Sequence, residues 1–538
     1  MMRRDLDRLQ DPTFDVLVVG GGIHGLIVAY DAAQRGLSAA LIERDDFGSG
    51  ASFNHLRTIH GGLRYLQTLD FARSRESIHE RRAMARIAPH AMRPTPFALP
   101  LYRSLTRGRL ALRAGFLLDR TLAAGRNRGL GPLHHLPAGR VISRSRAIQD
   151  YPGLRRQGLT GAAVWYDYVM TEPDRLTFAF ALAAAEHGAM LANHLDATAL
   201  HKDGSRVTGV TATDRLTGRQ VDIAAQITVN ATGVDADALL QPAGAPARIP
   251  MIKAMNLVTR RDAGEEALGG RSAKGKNLFL VPWRERAIFG TWESDRVSDP
   301  ADKAVHERDL AAFITDLNHA FPALDLSMAD VTLVHRGFLP AVVRGDRATL
   351  EPREQIRDHA DQGLEGLVTV VGVKYTTSRA AAERVTDRLL SKLRRSAAPC
   401  HTATTALPGG SIRDVGFTIA EARRDHDTGL PSDTIPHLVA AYGSRYRDVL
   451  DLADGRSEWR TPLAKESPVI GAQLVHAVHK EMALTLADAV LRRTPLGAVG
   501  DPGDEALEKA AAIVGSELGW SDDRRRQEIA SVKDFYRI

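Results

Sequence analysis

One segment constrains this chain more than any other. "FDVLVVGGGIHGLIVAYDAAQRGLSAALIE", residues 14–43, sets a Val-rich apolar run ahead of Gly20-x-Gly22-x-x-Gly25. Apolar residues follow at helical spacing in Leu26, Ala29 and Ala33, Gly36 ends the helix, and a second apolar run closes on Glu43. That order predicts strand, glycine turn, helix, strand. Gly20 permits the tight turn, Gly22 lets backbone approach a pyrophosphate, and Gly25 lets helix and strand pack closely. The helix start offers free N–H groups and partial positive charge to phosphate, and Glu43 stands where a carboxylate binds ribose hydroxyls. The expectation is a Rossmann-type dinucleotide site. Its place at the N-terminal end of a long chain suits FAD better than NAD.

The rest of the chain must be accommodated around that unit. At 538 residues it exceeds one hydrophobic core, so two or three domains are expected. With 44% hydrophobic and 25% charged residues it has a globular composition. The net charge of +6 suits an acidic substrate, cofactor phosphates or an anionic membrane, or is simply the solvated surface of an Arg-rich chain. The single cysteine, Cys400, excludes an intrachain disulfide and a Cys-based zinc or iron–sulfur site. No metal and no nucleic acid is expected. The polar start lacks a secretory core, and no window offers the ~18–20 apolar residues of a spanning helix, so membrane contact is expected to be peripheral.

Three further stretches carry chemistry. "AAQITVNATGVDADAL" (224–239) is an apolar strand leading into Ala231-Thr232-Gly233, a small-residue turn able to pass close to the same cofactor, or a plain strand-to-helix turn. "IHGGLRYL" (59–66) gathers His60, Gly61, Gly62, Arg64 and Tyr65. The glycines would admit a flat ring, Arg64 is a fixed cationic fork or else a helix-face charge, and Tyr65 adds a hydroxyl on an apolar body. Lys374 ends the buried-looking strand "LVTVVGV", ahead of Thr376 and Thr377, which open a helix whose positive end could face a flavin pyrimidine.

At "IHGGLRYL" the sequence resembles the aerobic, quinone-linked, FAD-dependent glycerol-3-phosphate dehydrogenases of the D-amino-acid-oxidase-like superfamily. "VVGGGIHG", "ESIHERRAMARIAPH" (76–90), "NATG", "GVKYTTSR" (372–379) and "EMALTLADAVLRRTPLG" (481–497) extend the resemblance in order along nearly the whole chain. It implies oxidation of sn-glycerol 3-phosphate or a close 2-hydroxy analogue, with FAD as cofactor, a quinone as acceptor and peripheral attachment to the cytoplasmic face of the inner membrane; a homodimer is allowed. It places Arg64, Tyr65, Arg357 and Lys374 at the substrate, and Ser52, His60, Gly372 and Lys374 beside the flavin; Arg336, three positions from Leu339, is a candidate to compensate for the family Arg that this chain lacks. His60 and Lys374 are the alternatives for the proton acceptor. Departures are equally specific. Asn256 stands where the family has a pocket His, Leu339 where it has an Arg gripping the anionic end, and "SFNHL" (52–56) where it has a Ser-rich run. These leave open a different hydroxy acid or polyol phosphate, oxygen as acceptor, or an FAD-binding protein without turnover.

The fold class implied is α/β with α+β: a Rossmann-type FAD domain over 14–395, interleaved with an antiparallel-sheet substrate part mainly at about 90–160 and 240–345. A linker at 396–411 and a helical C-terminal domain at 412–538 follow. Residues 93–146 hold many Arg and one acid, Asp119, and 104–129 have an amphipathic helical pattern that suits either docking on an anionic bilayer or packing on its own domain.

Overall fold

The computed structural model describes residues 2–103, 108–151, 153–246, 248–396, 398–426, 429–453, 456–465 and 467–537. Two large sheets and a helical C-terminal region make up the molecule.

The first sheet grows from the opening motif. Strand β1 (Phe14–Val19) is buried throughout and runs parallel to β2 (Ala39–Ile42) on one side and to Gln220–Asn230 on the other. Parallel neighbours Met190–Ala192 and Leu367–Val371 widen it, and Gln355–Asp358 closes one edge antiparallel. Strands covered on both faces need continuous apolar runs, which is what these sequences supply. Helix α1 (Ile23–Gln34) lies almost wholly buried, packed between helices Pro173–Glu186 and Ser378–Leu393. Its sequence is apolar nearly all round because it faces protein on every side.

The second sheet is mostly antiparallel. Its path runs from Arg347–Leu350 through Val331–Arg344, Met251–Thr259, Arg286–Glu293, Asn277–Trp283, Ala267–Arg271, Met92–Tyr102 and Leu159–Met170 to Thr58–Ile59. Thr58–Ile59 precedes the "IHGGLRYL" turn and pairs with Tyr168–Val169, so the chain crosses from one sheet to the other immediately before that cluster.

Helix boundaries differ from the sequence reading in instructive ways. Helix α2 covers Phe71–Ile87, because the Asp70 carboxylate accepts the Arg73 N–H at its start and Pro89 follows its end. Within 104–129 the helix α3 covers Arg109–Leu122, and residues 104–107 lie outside the described residues. The 481–497 signature is not one helix. Gly471–Glu481 ends at Met482 in the left-handed region, and Asp488–Arg493 forms a separate wide turn.

Candidate active site

One cavity of about 1510 Å³ opens between the two sheets, and most of the motif residues meet in it. Its volume exceeds the roughly 300–1,000 Å³ of ordinary ligand clefts, as a dinucleotide plus a second ligand requires.

The cofactor end is built from glycines with separate duties. Gly20 has φ +108°, and a Cβ there would fall 2.6 Å from the Ala231 carbonyl oxygen. A Cβ on Gly25 would fall 1.9 Å from the Gly20 carbonyl oxygen, so only glycine lets α1 sit this close to its strand. Gly22 faces the cavity, and a Cβ there would meet only the Ser52 hydroxyl, at 3.3 Å. That hydroxyl accepts the Ile23 N–H (2.8 Å), capping the start of α1 from a loop 29 residues away. The Glu43 carboxylate lines the cavity, accepts N–H groups from Gly21 (2.6 Å) and Asp45 (2.9 Å), and is pushed up to about 7 by burial. Ala231, Thr232 and Gly233 line the cavity beside it. A helix N-terminus, a glycine open to the cavity and a carboxylate at the end of β2 are the donor and acceptor set that a dinucleotide needs.

The second end is formed by the "IHGGLRYL" segment, the strand residues of the second sheet and the 372–376 loop. His60 lines the cavity, and its backbone N–H donates to the Thr376 hydroxyl (3.2 Å), joining the two loops. Tyr65 is buried in the turn Leu63–Thr68, with the Lys374 ammonium 4.3 Å from its ring centroid and the Arg73 guanidinium at 4.8 Å. The Arg64 side chain lies outside the described residues. Asn256 is buried on its strand. Its Oδ1 accepts the Thr291 hydroxyl (2.9 Å), which leaves the amide N–H pair as the donors it can present. Arg336 and Leu339 both line the cavity from strand Val331–Arg344, and the Arg336 N–H donates to Asn54 Oδ1 (3.1 Å).

Three expectations about placement change. Gly61 does not line the cavity, and Gly62, which does, makes room for protein as well. A Cβ on Gly61 would collide with the Arg81 guanidinium at 2.3 Å, and one on Gly62 with Tyr65 and Ser77. Gly372 lines the cavity and also makes room for protein, since a Cβ there would fall 1.8 Å from the His24 ring. Thr377 is buried behind Thr376 at the start of helix Ser378–Leu393 and does not line the cavity. Arg357 is not at the cavity either: it stands opposite Thr369, two positions before the cavity-facing end of strand Leu367–Val371, and its guanidinium donates to Gln355 (2.7 Å).

Two features escaped the sequence reading. His24, between the glycines of the motif, lines the cavity and is lowered to about 4 by burial, partly opposed by Glu354, so it is neutral at ordinary pH. Nothing in the spacing sets His24 apart from any other helix residue. Asp167, also on the cavity wall, pairs with Arg81, accepts the Gly61 N–H (2.7 Å) and accepts the Trp165 indole N–H (2.9 Å). The "HGG" of the motif points to this partner only in retrospect.

Comparison with known proteins agrees with this architecture. Residues 15–388 match the family model for FAD dependent oxidoreductases, and residues 400–525 the model for the C-terminal domain of alpha-glycerophosphate oxidase. A glycerol-3-phosphate dehydrogenase of Synechocystis is 30% identical over 99% of this chain and 98% of its own. The human mitochondrial glycerol-3-phosphate dehydrogenase is 32% identical over 97% of this chain and 73% of its own. The solved glycerol-3-phosphate dehydrogenase from Bacillus halodurans, complexed with FAD, superposes with a TM-score of 0.76 at 24% identity, covering 99% of this chain and 96% of that one. The protein is thus an FAD-dependent oxidoreductase, and the chain belongs to the glycerol-3-phosphate dehydrogenase family.

Proposed function

We propose that the enzyme oxidises sn-glycerol 3-phosphate, or a close 2-hydroxy analogue, to the corresponding ketone and passes the electrons to a membrane quinone. The observation that carries this reading is the single cavity that brings the start of α1 together with Tyr65, Asn256, Arg336 and Lys374. The names of the full-length relatives support it.

FAD, when bound, would supply the two-electron acceptor for the carbinol carbon, and a protein base would take the hydroxyl proton. The chain's own residues do the rest. The N–H groups at the start of α1 hold pyrophosphate, and Glu43 holds the adenosine ribose. Helix Ser378–Leu393 turns its positive end toward Thr376 and the cavity, favouring negative charge there. Arg336 and Lys374, with Arg64, hold the anionic end of the substrate. Asn256 cannot take a proton and serves as a donor. His60 takes the hydroxyl proton, or a neutral Lys374 does so, leaving the anionic end to the arginines.

The acceptor half of the proposal rests on α3. Leu110 and Leu117 are exposed at 80% and 66%, while Ala111, Leu112, Gly115 and Leu118 of the same helix roof the cavity. A basic helix with an outward apolar stripe suits a peripheral position on an anionic bilayer, the source of a quinone. Among the described residues no helix is long and apolar enough to cross a membrane.

A different hydroxy acid or polyol phosphate is the second reading, favoured by Leu339 on the cavity wall. Anaerobic addition of sn-glycerol 3-phosphate to the holoenzyme decides between them. Bleaching of the flavin band, followed by recovery with a soluble quinone faster than with oxygen, is expected. An unbleached flavin that another 2-hydroxy compound reduces would overturn the first reading.

A further inference from the structure

Three aromatic rings form one wall of the cavity. Phe97 and Trp165 face each other across paired strands and stack with centroids 5.7 Å apart. Phe279 meets them edge-on at 6.2 and 6.3 Å. Leu99, Leu112 and Leu118 complete this side of the cavity, the last two from α3. Trp165 and Phe279 are only half-buried, so ring surface is left facing the cavity. A three-carbon polyol phosphate has no apolar surface to set against such a wall.

The wall is continuous with the reacting end. The Trp165 indole N–H donates to Asp167 (2.9 Å), whose other oxygen accepts the Gly61 N–H (2.7 Å), and Leu63 of the Tyr65 turn belongs to the same apolar cluster as Trp165 and Leu112. Charge beside it is internally matched: Asp167 pairs with Arg81, and Lys276 pairs with Glu293 at 2.9 Å. An uncharged apolar group therefore fits this side of the cavity.

We propose that Phe97, Trp165 and Phe279 form a subsite for an aryl or alkyl substituent carried by the 2-hydroxy substrate. This rests on the reading above that a 2-hydroxy compound is oxidised, and adds an apolar extension beyond the polar head. The substrate is the occupant, rather than the acceptor, because the wall is tied through Asp167 and Leu63 to the turn that carries Tyr65. Aromatic rings pair favourably edge-on or offset, so an aromatic group suits this wall best.

Calorimetric binding of a redox-inert pair, propyl phosphate and 3-phenoxypropyl phosphate, to oxidised holoenzyme tests it without turnover. The aryl compound is expected to bind about tenfold tighter, equivalent to about 1.4 kcal/mol. Phe279→Ala and Trp165→Ala should erase that ratio, and Phe279→Leu, which keeps apolar volume, should retain part of it. In anaerobic flavin reduction, 1-O-phenyl-sn-glycerol 3-phosphate should outperform sn-glycerol 3-phosphate, and Phe279→Ala should remove the advantage. Equal binding of the two phosphates, or a preference untouched by every variant, would overturn the subsite. So would variants that slow only reoxidation of the dithionite-reduced enzyme by a soluble quinone, which would assign the wall to the acceptor. An aryl preference that persists when sn-glycerol 3-phosphate fails to reduce the flavin would keep the subsite and sink the choice of head group.

Discussion

The Arg493 guanidinium forks onto the Asp46 carboxylate, Nη1 to Oδ2 at 2.6 Å and Nη2 to Oδ1 at 2.8 Å, with both side chains fully buried. Asp46 follows β2 by four residues, and Arg493 lies in the helical C-terminal region, 447 positions later. Arg492 adds a second contact to Asp46 at 2.6 Å, and Phe178 lies under the Arg493 guanidinium at 3.9 Å. Burial alone would raise Asp46; the Arg493 charge overrides it and holds the carboxyl below its usual range. The C-terminal region thus grips the loop whose next residues, Ser49 to Ser52 and Asn54 to Leu56, line the cavity.

Arg493→Met will leave a buried carboxylate without its fork. A loss of about 3–5 kcal/mol is expected, the cost of breaking a buried pair from one side. Urea unfolding measures it, and titration of the apoprotein with FAD should show weakened binding, because the 49–56 loop loses its anchor. The double variant Asp46→Leu/Arg493→Met should recover part of the stability.

Glu43 makes the FAD-free protein less stable as pH rises. Its folded value is lifted to about 7 from an ordinary 4.5, so between those values the unfolded chain releases its proton first. Stability is therefore fully present below pH 4.5, falls by about 3 kcal/mol up to pH 7 from this group alone, and is level above. Chemical unfolding at a series of pH values should show that slope in the wild type and lose it in Glu43→Gln.

Lys374→Met removes the ammonium that lies over Tyr65 and reaches toward the Pro352 carbonyl at 3.5 Å. Flavin content should be unchanged, while kcat/KM falls by about 10²–10⁴, the range for a lost acid–base or anion-holding group. The pH profile of flavin reduction separates those roles. An acidic limb that disappears in the variant marks the proton acceptor, which is inactive once protonated, and a KM effect with no change in that limb marks the anion contact.

Leu110→Glu with Leu117→Glu, and separately Arg109→Glu with Arg113→Glu, test α3 as the membrane face. Both pairs should lower co-sedimentation with anionic liposomes severalfold. Loss through the arginines should resemble the effect of raising salt on the wild type, because only that part of the attraction is screened.

Interactions close in the chain were legible before the structure. The glycines of 20–25, the strand on either side and Glu43 follow from backbone conformation within thirty residues, and Gly20, Gly22 and Glu43 line the cavity. Ala231 to Gly233, readable from the sequence either as a cofactor-side turn or as a plain strand-to-helix turn, line the same cavity.

Residues whose meaning depends on a distant partner were not legible. The sequence reads Gly61 as room for a ring, but its neighbour is Arg81, set there by α2 and by Asp167 from another strand. Arg357 pairs with Thr369, just short of the cavity-lining Val370 and Val371, and does not line the cavity. The aromatic wall joins residues 97, 165 and 279, whose spacing carries no signal until three strands align.

By itself, then, the sequence determined the cofactor type and the family, because local glycine geometry and helix-end charge act over one or two turns of chain. Only the tertiary structure decided which polar groups are already satisfied and which still face the cavity, because burial and pairing are set by side chains brought together from opposite ends of the molecule.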